Sequence, residues 1–88
     1  MSRAYCIFIN TLAEGRVPSV RDEKGQPFVF KSEVEAQREI IENAMQRMTE
    51  FMRGEREFDD AITIEEYIQP VEILEDGRVV DGHGEPVA

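Results

Sequence analysis

The chain has 88 residues, of which 19 are acidic and 10 are basic, so its formal net charge at pH 7 is −9. This charge argues against direct binding of nucleic acid or of an anionic membrane, because both need a basic face. The hydrophobic fraction of 41% is sufficient for a small core. We therefore expect a protein partner or a second copy of the chain, with no direct nucleic acid and no membrane.

The chain has a single cysteine, Cys6, and a single histidine, His83. They cannot form an intramolecular disulfide or supply the four ligands of a structural zinc site. Cys6 lies in an apolar run, and we interpret it as a buried apolar residue in a reduced compartment. The chain also lacks a signal-peptide pattern and an apolar run near the ~20 residues of a membrane span. These features predict a cytoplasmic protein.

The first third of the chain predicts two strands. Residues 4–10 place apolar side chains on both faces, which is typical of a central strand. Residues 11–20 contain the breakers Gly15 and Pro18 and are predicted to be irregular. Residues 27–31 predict the second strand, with a proline at its start.

One turn pattern occurs twice, as Asp-x-x-Gly-x-Pro at residues 22–27 and again at residues 81–86. Aspartate at the first position and glycine at the fourth are typical of a type I turn. The pattern predicts the same turn chemistry at both places, without implying a duplicated domain.

The strongest element is a helix predicted over residues 33–53. Ser32 and Glu35 form a capping-box pattern at its start, and Gly54 is a typical residue just after a helix. The helix is amphipathic, and its apolar face consists of Val34, Ile41, Ala44, Met45, Met48 and Met52, flanked by Ile40 and Phe51.

Residues 55–62 read as an acidic connector, and the pattern from Thr63 to Glu66 predicts a single helical turn. Residues 68–74 then predict a strand in which Pro70 indicates an edge or a bulge.

Asp76-Gly77 is a signal for a two-residue hairpin loop, with residues 78–80 as the short return strand. Residues 81–88 contain two glycines and a proline and are predicted to be a flexible tail.

Together these elements predict an α+β fold, in which a small and mainly antiparallel sheet packs on one long amphipathic helix. The predicted order is β-β-α-β with a short C-terminal hairpin, in a single domain over residues 1–80. The predicted core consists of Tyr5, Ile7, Ile9, Phe28, Phe30, Ile41, Ala44, Met45, Met48, Ile68, Val71 and Ile73.

The most informative feature is the group of methionines on the C-terminal half of the helix. They could fill the core against the sheet. The functional interpretation is that a 21-residue helix extends beyond strands of five to seven residues, which span only ~17–24 Å. Met48, Phe51 and Met52 would then form an apolar patch for a partner or a second copy.

Acidic residues are densest just after the helix. The pairs Asp59-Asp60 and Glu65-Glu66 could serve a metal or acid–base site, but with 19 acids in the chain adjacent pairs arise by chance. We predict no catalytic residue, no metal site and no cofactor. If the acids serve an interface, the predicted acidic surface is Glu55, Glu57, Asp59, Asp60, Glu65 and Glu66.

Two segments carry a resemblance. One reads Gly-x-Pro-Phe-x-Phe-x-Ser-x-x-Glu-Ala-Gln over residues 25–37, and the other reads Tyr-Ile-x-Pro-Val-x-Ile over residues 67–73, followed by Asp76-Gly77. In both, the chain resembles small acidic proteins carried by bacteriophages and prophages. The shared motifs are structural and include no catalytic residue. The resemblance implies a compact accessory protein of a mobile element, such as one that binds a host protein.

Two functions follow as expectations. The first is a non-enzymatic protein-interaction module, with self-association as a homodimer included. The alternative is a phage-type inhibitor of a host nucleic-acid-handling defence complex, whose acidic surface mimics phosphates. Salt separates them, because an apolar contact tolerates salt while a charge mimic weakens steeply as salt rises.

Overall fold

A computed structural model describes residues 2–87 of the chain. In chain order the elements are β1 (Ser2–Thr11), β2 (Gly15–Pro18), α1 (Glu33–Met52), α2 (Phe58–Ile62), β3 (Tyr67–Ile73) and β4 (Val79–Val80). The strands form one antiparallel sheet in the order β2-β1-β3-β4, and the long helix α1 packs on that sheet. The predicted α+β class is therefore confirmed.

Strand β1 is central, as its two apolar faces predict, since it pairs with β2 on one side and β3 on the other. Its two faces enter two different core clusters. Ile7 packs with residues of the helix side, namely Phe30 and Ala36. Cys6 and Phe8 point the other way, and the apolar residues that pack around them include Ala4, Val71 and Val87. The sheet is therefore covered on both faces, whereas the sequence predicted cover on one.

The prediction of irregular structure over residues 11–20 is wrong. Strand β2 forms a hairpin with β1, in a register that pairs Thr11 with Gly15 and Phe8 with Pro18. The Thr11 hydroxyl closes the loop by accepting from the Glu14 N–H at 3.0 Å. Glycine and proline occupy the two ends of this edge strand, where residues that break strands are tolerated.

The second strand predicted over residues 27–31 is also wrong. This segment makes only isolated bridges, of which the firmest joins Phe30 to Tyr5. Their N–H groups and carbonyls exchange two hydrogen bonds, at 2.9 and 2.8 Å. Phe30 thus covers the edge of β1 beyond the end of β2, and it fixes the backbone just before the helix.

The first Asp-x-x-Gly-x-Pro turn forms as predicted. The Asp22 carboxylate accepts from the N–H groups of Lys24 and Gln26, both at 2.9 Å. The Gly25 N–H donates to the Asp22 carbonyl at 3.0 Å. Gly25 has φ +80°, which favours glycine because a Cβ clashes with the backbone in that region.

The second turn repeats this geometry. The Asp81 carboxylate accepts from the N–H groups of His83 and Glu85, at 2.8 and 3.0 Å. Gly84 has φ +81° and donates to the Asp81 carbonyl at 3.0 Å. The hydrogen bond from the Glu85 N–H, followed by the Arg16 side chain, lowers the pKa of Asp81 below its usual value.

The flexible tail predicted over residues 81–88 is therefore a folded segment over residues 81–87, while Ala88 lies outside the described residues. The Val87 N–H donates to the Val79 carbonyl at 3.3 Å, and the Val87 side chain is buried against the sheet. Arg16 of β2 forms an ion pair with Asp81 at 2.9 Å. Proline and glycine made the segment look mobile, but here they shape a tight turn.

Both ends of helix α1 agree with the prediction. The Ser32 hydroxyl accepts from the Glu35 N–H at 3.2 Å. Glu35 in turn accepts from the Lys31 N–H at 3.2 Å, one residue before the partner that a capping box predicts. At the other end the Gly54 N–H donates to the Phe51 carbonyl at 2.9 Å. These local contacts fix the helix start and stop.

The short helical turn lies earlier than predicted. Helix α2 occupies Phe58–Ile62, and residues 63–66, where the sequence predicts a helical turn, form no helix. The Thr63 hydroxyl donates backwards to the Asp59 carbonyl at 2.6 Å. Thr63 therefore follows α2 and does not cap a helix of its own.

Pro70 lies in β3, an inner strand, yet its surroundings are those of an edge. It pairs with Tyr5, whose N–H and carbonyl are both used by Phe30. Pro70 therefore faces β1 at a position without ladder hydrogen bonds, and the N–H that proline lacks would not have formed one there.

The hairpin after β3 is confirmed. Its loop is longer than the two residues predicted, because the Leu74 N–H donates to the Arg78 carbonyl at 2.8 Å.

Candidate functional site

The side of α1 that faces the sheet carries small side chains. Ala36 and Ala44 are the buried residues of the helix. Ala36 contacts the cluster of Ile7 and Phe30, and Ile40 packs at its border. A small side chain allows the helix backbone to approach the sheet closely, so this side anchors α1.

A second side of α1 carries large apolar side chains that the fold leaves uncovered. We define the helix stripe as the five residues Val34 (52% exposed), Ile41 (57%), Met45 (61%), Met48 (42%) and Met52 (83%). The prediction that Ile41, Met45 and Met48 belong to the core is therefore wrong, as it is for Phe28, which is 42% exposed. A surface concavity of about 340 Å³ lies over Met45, Met48 and Met52.

The two sides differ by a rotation about the helix axis. At about 100° per residue, the helix stripe is centred roughly 110° away from the inner residues Ala36, Ile40 and Ala44. The apolar pattern of the sequence correctly identifies an amphipathic helix. Of the residues on the predicted apolar face, however, only Ala44 at its edge is buried. The methionines lie beyond it.

Polar contacts hold the C-terminal half of α1 on its inner side. Arg47 reaches Glu66 with an ion pair of 3.5 Å and donates to the Thr63 carbonyl at 3.3 Å. Within residues 2–87 the Arg47 Nε is a buried polar atom without a partner. The inner position of this half is therefore occupied by Arg47 and its polar partners. The methionines of the same half lie on another side of the helix.

Of the predicted interaction residues, Met48 and Met52 lie on the helix stripe. Phe51 turns towards α2, where its ring packs edge-on against Phe58 with centroids 5.2 Å apart. Strand β1 has ten residues, more than the five to seven predicted, while β3 has seven. The α1 residues that join the sheet-side core cluster, Ala36 and Ile40, lie in the N-terminal half of the helix. The stripe is also rotated away from them, so both features leave Met48 and Met52 exposed.

The sequence prediction missed Val34, Ile41 and Met45 as members of this surface. A signal for them was present. With Arg38 included, the positions run 34, 38, 41, 45, 48 and 52, alternating steps of four and three. This spacing is typical of a helix that packs along a second helix.

The predicted acidic surface is only partly free. Glu66 pairs with Arg47, and Asp60 pairs with Arg56 at 2.6 Å. Over the described part of the chain, the remaining acids of the set form no ion pair and are exposed; they are Glu55, Glu57, Asp59 and Glu65.

Cys6 is buried in the core of the sheet, where its thiol donates to the Phe28 carbonyl at 3.5 Å. Burial raises the pKa of the thiol to about 11, so it is protonated at neutral pH and is a poor nucleophile.

Among residues 2–87, no three His, Cys, Asp or Glu side chains are grouped closely enough to hold a metal ion. None of the helices in that range has the length and apolar character needed to cross a membrane.

The molecule is extended for its size. Its Cα radius of gyration is 14.5 Å, against about 12 Å for a folded chain of this length. Its accessible surface is 6494 Å², against about 5,300 Å² for a folded monomer of this mass. The chain therefore exposes about 1,200 Å² more than a typical monomer, and the helix stripe is part of that surplus.

Comparison with protein-family models, with curated proteins and with solved structures finds no match for this chain. The assignment of a functional surface therefore depends on the geometry of the chain itself. That geometry favours the helix stripe, since its five large apolar side chains are exposed on one side of a single helix.

Proposed function

We propose that this chain is a small, acidic, non-enzymatic protein-interaction module that binds its partner through the helix stripe. The observation that carries the proposal is the exposure of five large apolar side chains on one side of α1. Fully burying one such side chain contributes about 1.5–3 kcal/mol, so a partner that covers several of them gains substantial affinity. The resemblance to small phage-type proteins supports an accessory role in a mobile element.

The composition of the stripe suits a protein partner. Three of its five residues are methionines, whose unbranched side chains adapt to irregular partner surfaces. Isolated exposed apolar residues are common on any protein, but a row along a whole helix is not.

The acidic residues have a different role in this proposal. Arg56 and Arg47 already neutralise two of the six acids in the predicted surface. The others keep the chain soluble while its apolar stripe is free, since a net charge far from zero opposes non-specific association.

The test is capture of partners from a bacterial lysate by three baits: wild type, Met48→Glu and Gln46→Glu. The two variants gain the same charge on exposed positions of one helix, but only Met48 lies on the helix stripe. We expect wild type and Gln46→Glu to retain the same partner, and Met48→Glu to lose it. Retention should persist when salt rises from about 0.1 to about 0.5 M, because apolar contacts are not screened.

Mimicry of phosphates by the acidic surface predicts the opposite pattern. Capture would then be lost at high salt, would survive Met48→Glu, and would weaken in a Glu55→Gln/Glu57→Gln variant. That result would overturn binding through the helix stripe.

A further inference from the structure

Resting on the proposed binding role of the helix stripe, we infer that its occupant is a second copy of this chain, paired antiparallel about a two-fold axis. The axis crosses the stripe midway between Ile41 and Met45, at the midpoint of the exposed row. Two-fold pairing of one surface with itself is the commonest geometry of protein oligomers.

The exposed area fits a dimer. The chain exposes about 1,200 Å² more than a typical monomer of its mass, and a stable dimer removes about 600–1,000 Å² from each partner. One interface along α1 would therefore bring the exposed surface of each chain close to that of an ordinary folded protein. A short peptide bound over the methionine concavity would cover only part of this surplus.

The residue spacing supplies the register. The row of positions 34, 38, 41, 45, 48 and 52 is symmetric about position 43. An antiparallel pair therefore places Val34 opposite Met52 of the second copy, and Ile41 opposite Met45 of the second copy. In both cases a branched side chain meets a flexible methionine, which can fill the space around it.

The only charged residue of the row sets the direction. Arg38 lies between Val34 and Ile41. In a parallel pair the two Arg38 side chains would face each other across the seam, which is destabilising. In the antiparallel pair Arg38 lies opposite Met48 of the second copy, and the two arginines are about 15 Å apart along the helix axis, a distance at which salt screens most of their repulsion.

Net charge makes a further prediction about this dimer. Each copy carries −9, so the two copies repel at low salt. Because salt screens that repulsion and does not weaken apolar burial, dimerisation should become tighter as salt rises.

Sedimentation equilibrium of the purified chain measures the pairing directly. We expect a dimer at about 100 μM in moderate salt, and a dissociation constant raised on the order of 100-fold or more by Met48→Glu, which places a charge in the seam of both copies. Gln46→Glu adds the same charge outside the stripe and should change the constant less than about threefold. A monomeric wild type, or equal effects of the two variants, would overturn the inference.

Cysteine cross-linking tests the direction. Val34→Cys and Met52→Cys chains are oxidised separately and as a mixture, with native Cys6 buried in each. An antiparallel dimer gives cross-links mainly in the mixture, because residue 34 faces residue 52 of the other copy. Cross-links formed equally well by each variant alone would show a parallel pair and would overturn the antiparallel register.

Failure of this inference differs from failure of the proposed function. If the purified chain is monomeric while lysate capture still depends on Met48, the helix stripe binds a different protein and only self-pairing is excluded. If the chain is monomeric and capture does not depend on Met48, both proposals fail.

Discussion

The two sides of α1 show how one helix can serve a fold and leave a surface for something else. The inner side carries the buried Ala36, which packs with Ile7 of the sheet, the buried Ala44, and in its C-terminal half the paired Arg47. The outer side carries the larger apolar residues and touches little of its own chain. The side that is more apolar is thus the side that the fold uses less. In a helix whose only task is to complete a core, the larger apolar residues would face inward.

This difference separates stability from association. Substitutions on the inner side should change the free energy of unfolding of the monomer. Substitutions on the helix stripe should leave the monomer intact and change its contacts with partners. Paired variants, one from each side, test that separation.

The largest effect is expected for Ala36→Leu, compared with Met45→Leu on the stripe. Ala36 is 0% exposed, so a larger side chain overpacks the contact with Ile7 and should cost about 3 kcal/mol. Met45→Leu conserves volume on an exposed position and should stay within about 0.5 kcal/mol. Both values come from urea unfolding at a concentration low enough to keep the chain monomeric. Equal losses in the two variants would mean that the stripe is packed within the monomer.

A smaller effect is expected for Arg47→Met, compared with Arg38→Met. Methionine keeps the apolar stem of Arg47 but removes its ion pair with Glu66 and its hydrogen bond to the Thr63 carbonyl. The free energy of unfolding of the monomer should therefore fall by about 2 kcal/mol. Arg38 is exposed and should change monomer stability by less than about 0.5 kcal/mol. Replacing Arg38, which lies in the proposed contact between the stripes of two copies, should instead strengthen self-association. An unchanged unfolding midpoint in Arg47→Met would contradict a structural role for its ion pair.

The smallest effect is expected for Ser32→Ala, which removes the N-cap of α1. The Ser32 hydroxyl satisfies the Glu35 N–H, so its loss should cost about 1 kcal/mol of monomer stability. Because the cap lies at the helix start and outside the stripe, the dissociation constant of the dimer should be unchanged. Ser19→Ala is the matched control, since Ser19 is exposed and its side chain makes no hydrogen bond within residues 2–87. A Ser32→Ala variant as stable as the control would rule out the cap.

Features set by neighbouring residues were predictable from the sequence. The helix ends follow from Ser32 and Gly54, and the first turn follows from Asp22 and Gly25, because each depends on side-chain and backbone chemistry within a few residues. The same turn chemistry appears at Asp81, where the glycines and proline predict a flexible tail and the structure has a folded segment. Its ion pair with Arg16 joins residues far apart in the chain, and the sequence pattern carries no signal for it.

Features that depend on packing were not predictable. A pattern of apolar residues shows that α1 is amphipathic, but it does not show which part of the apolar arc meets the sheet. That choice depends on the Phe30–Tyr5 bridge before the helix and on Arg47 beneath it, both of which are long-range contacts. The apolar pattern therefore identifies Met48 and Met52 as surface candidates but places Met45 in the core, where the structure does not have it.

The most direct test of the account measures the solvent accessibility of the methionine methyl groups by NMR, with a soluble paramagnetic agent, at about 10 μM and about 500 μM protein. The account predicts that Met45, Met48 and Met52 are accessible in the dilute monomer and become protected together at the higher concentration, as the stripes of two copies meet. Protection at about 10 μM in a chain that sediments as a monomer would show that the chain covers its own stripe, which would contradict the account. Accessibility at both concentrations would contradict the pairing of two copies through the stripe.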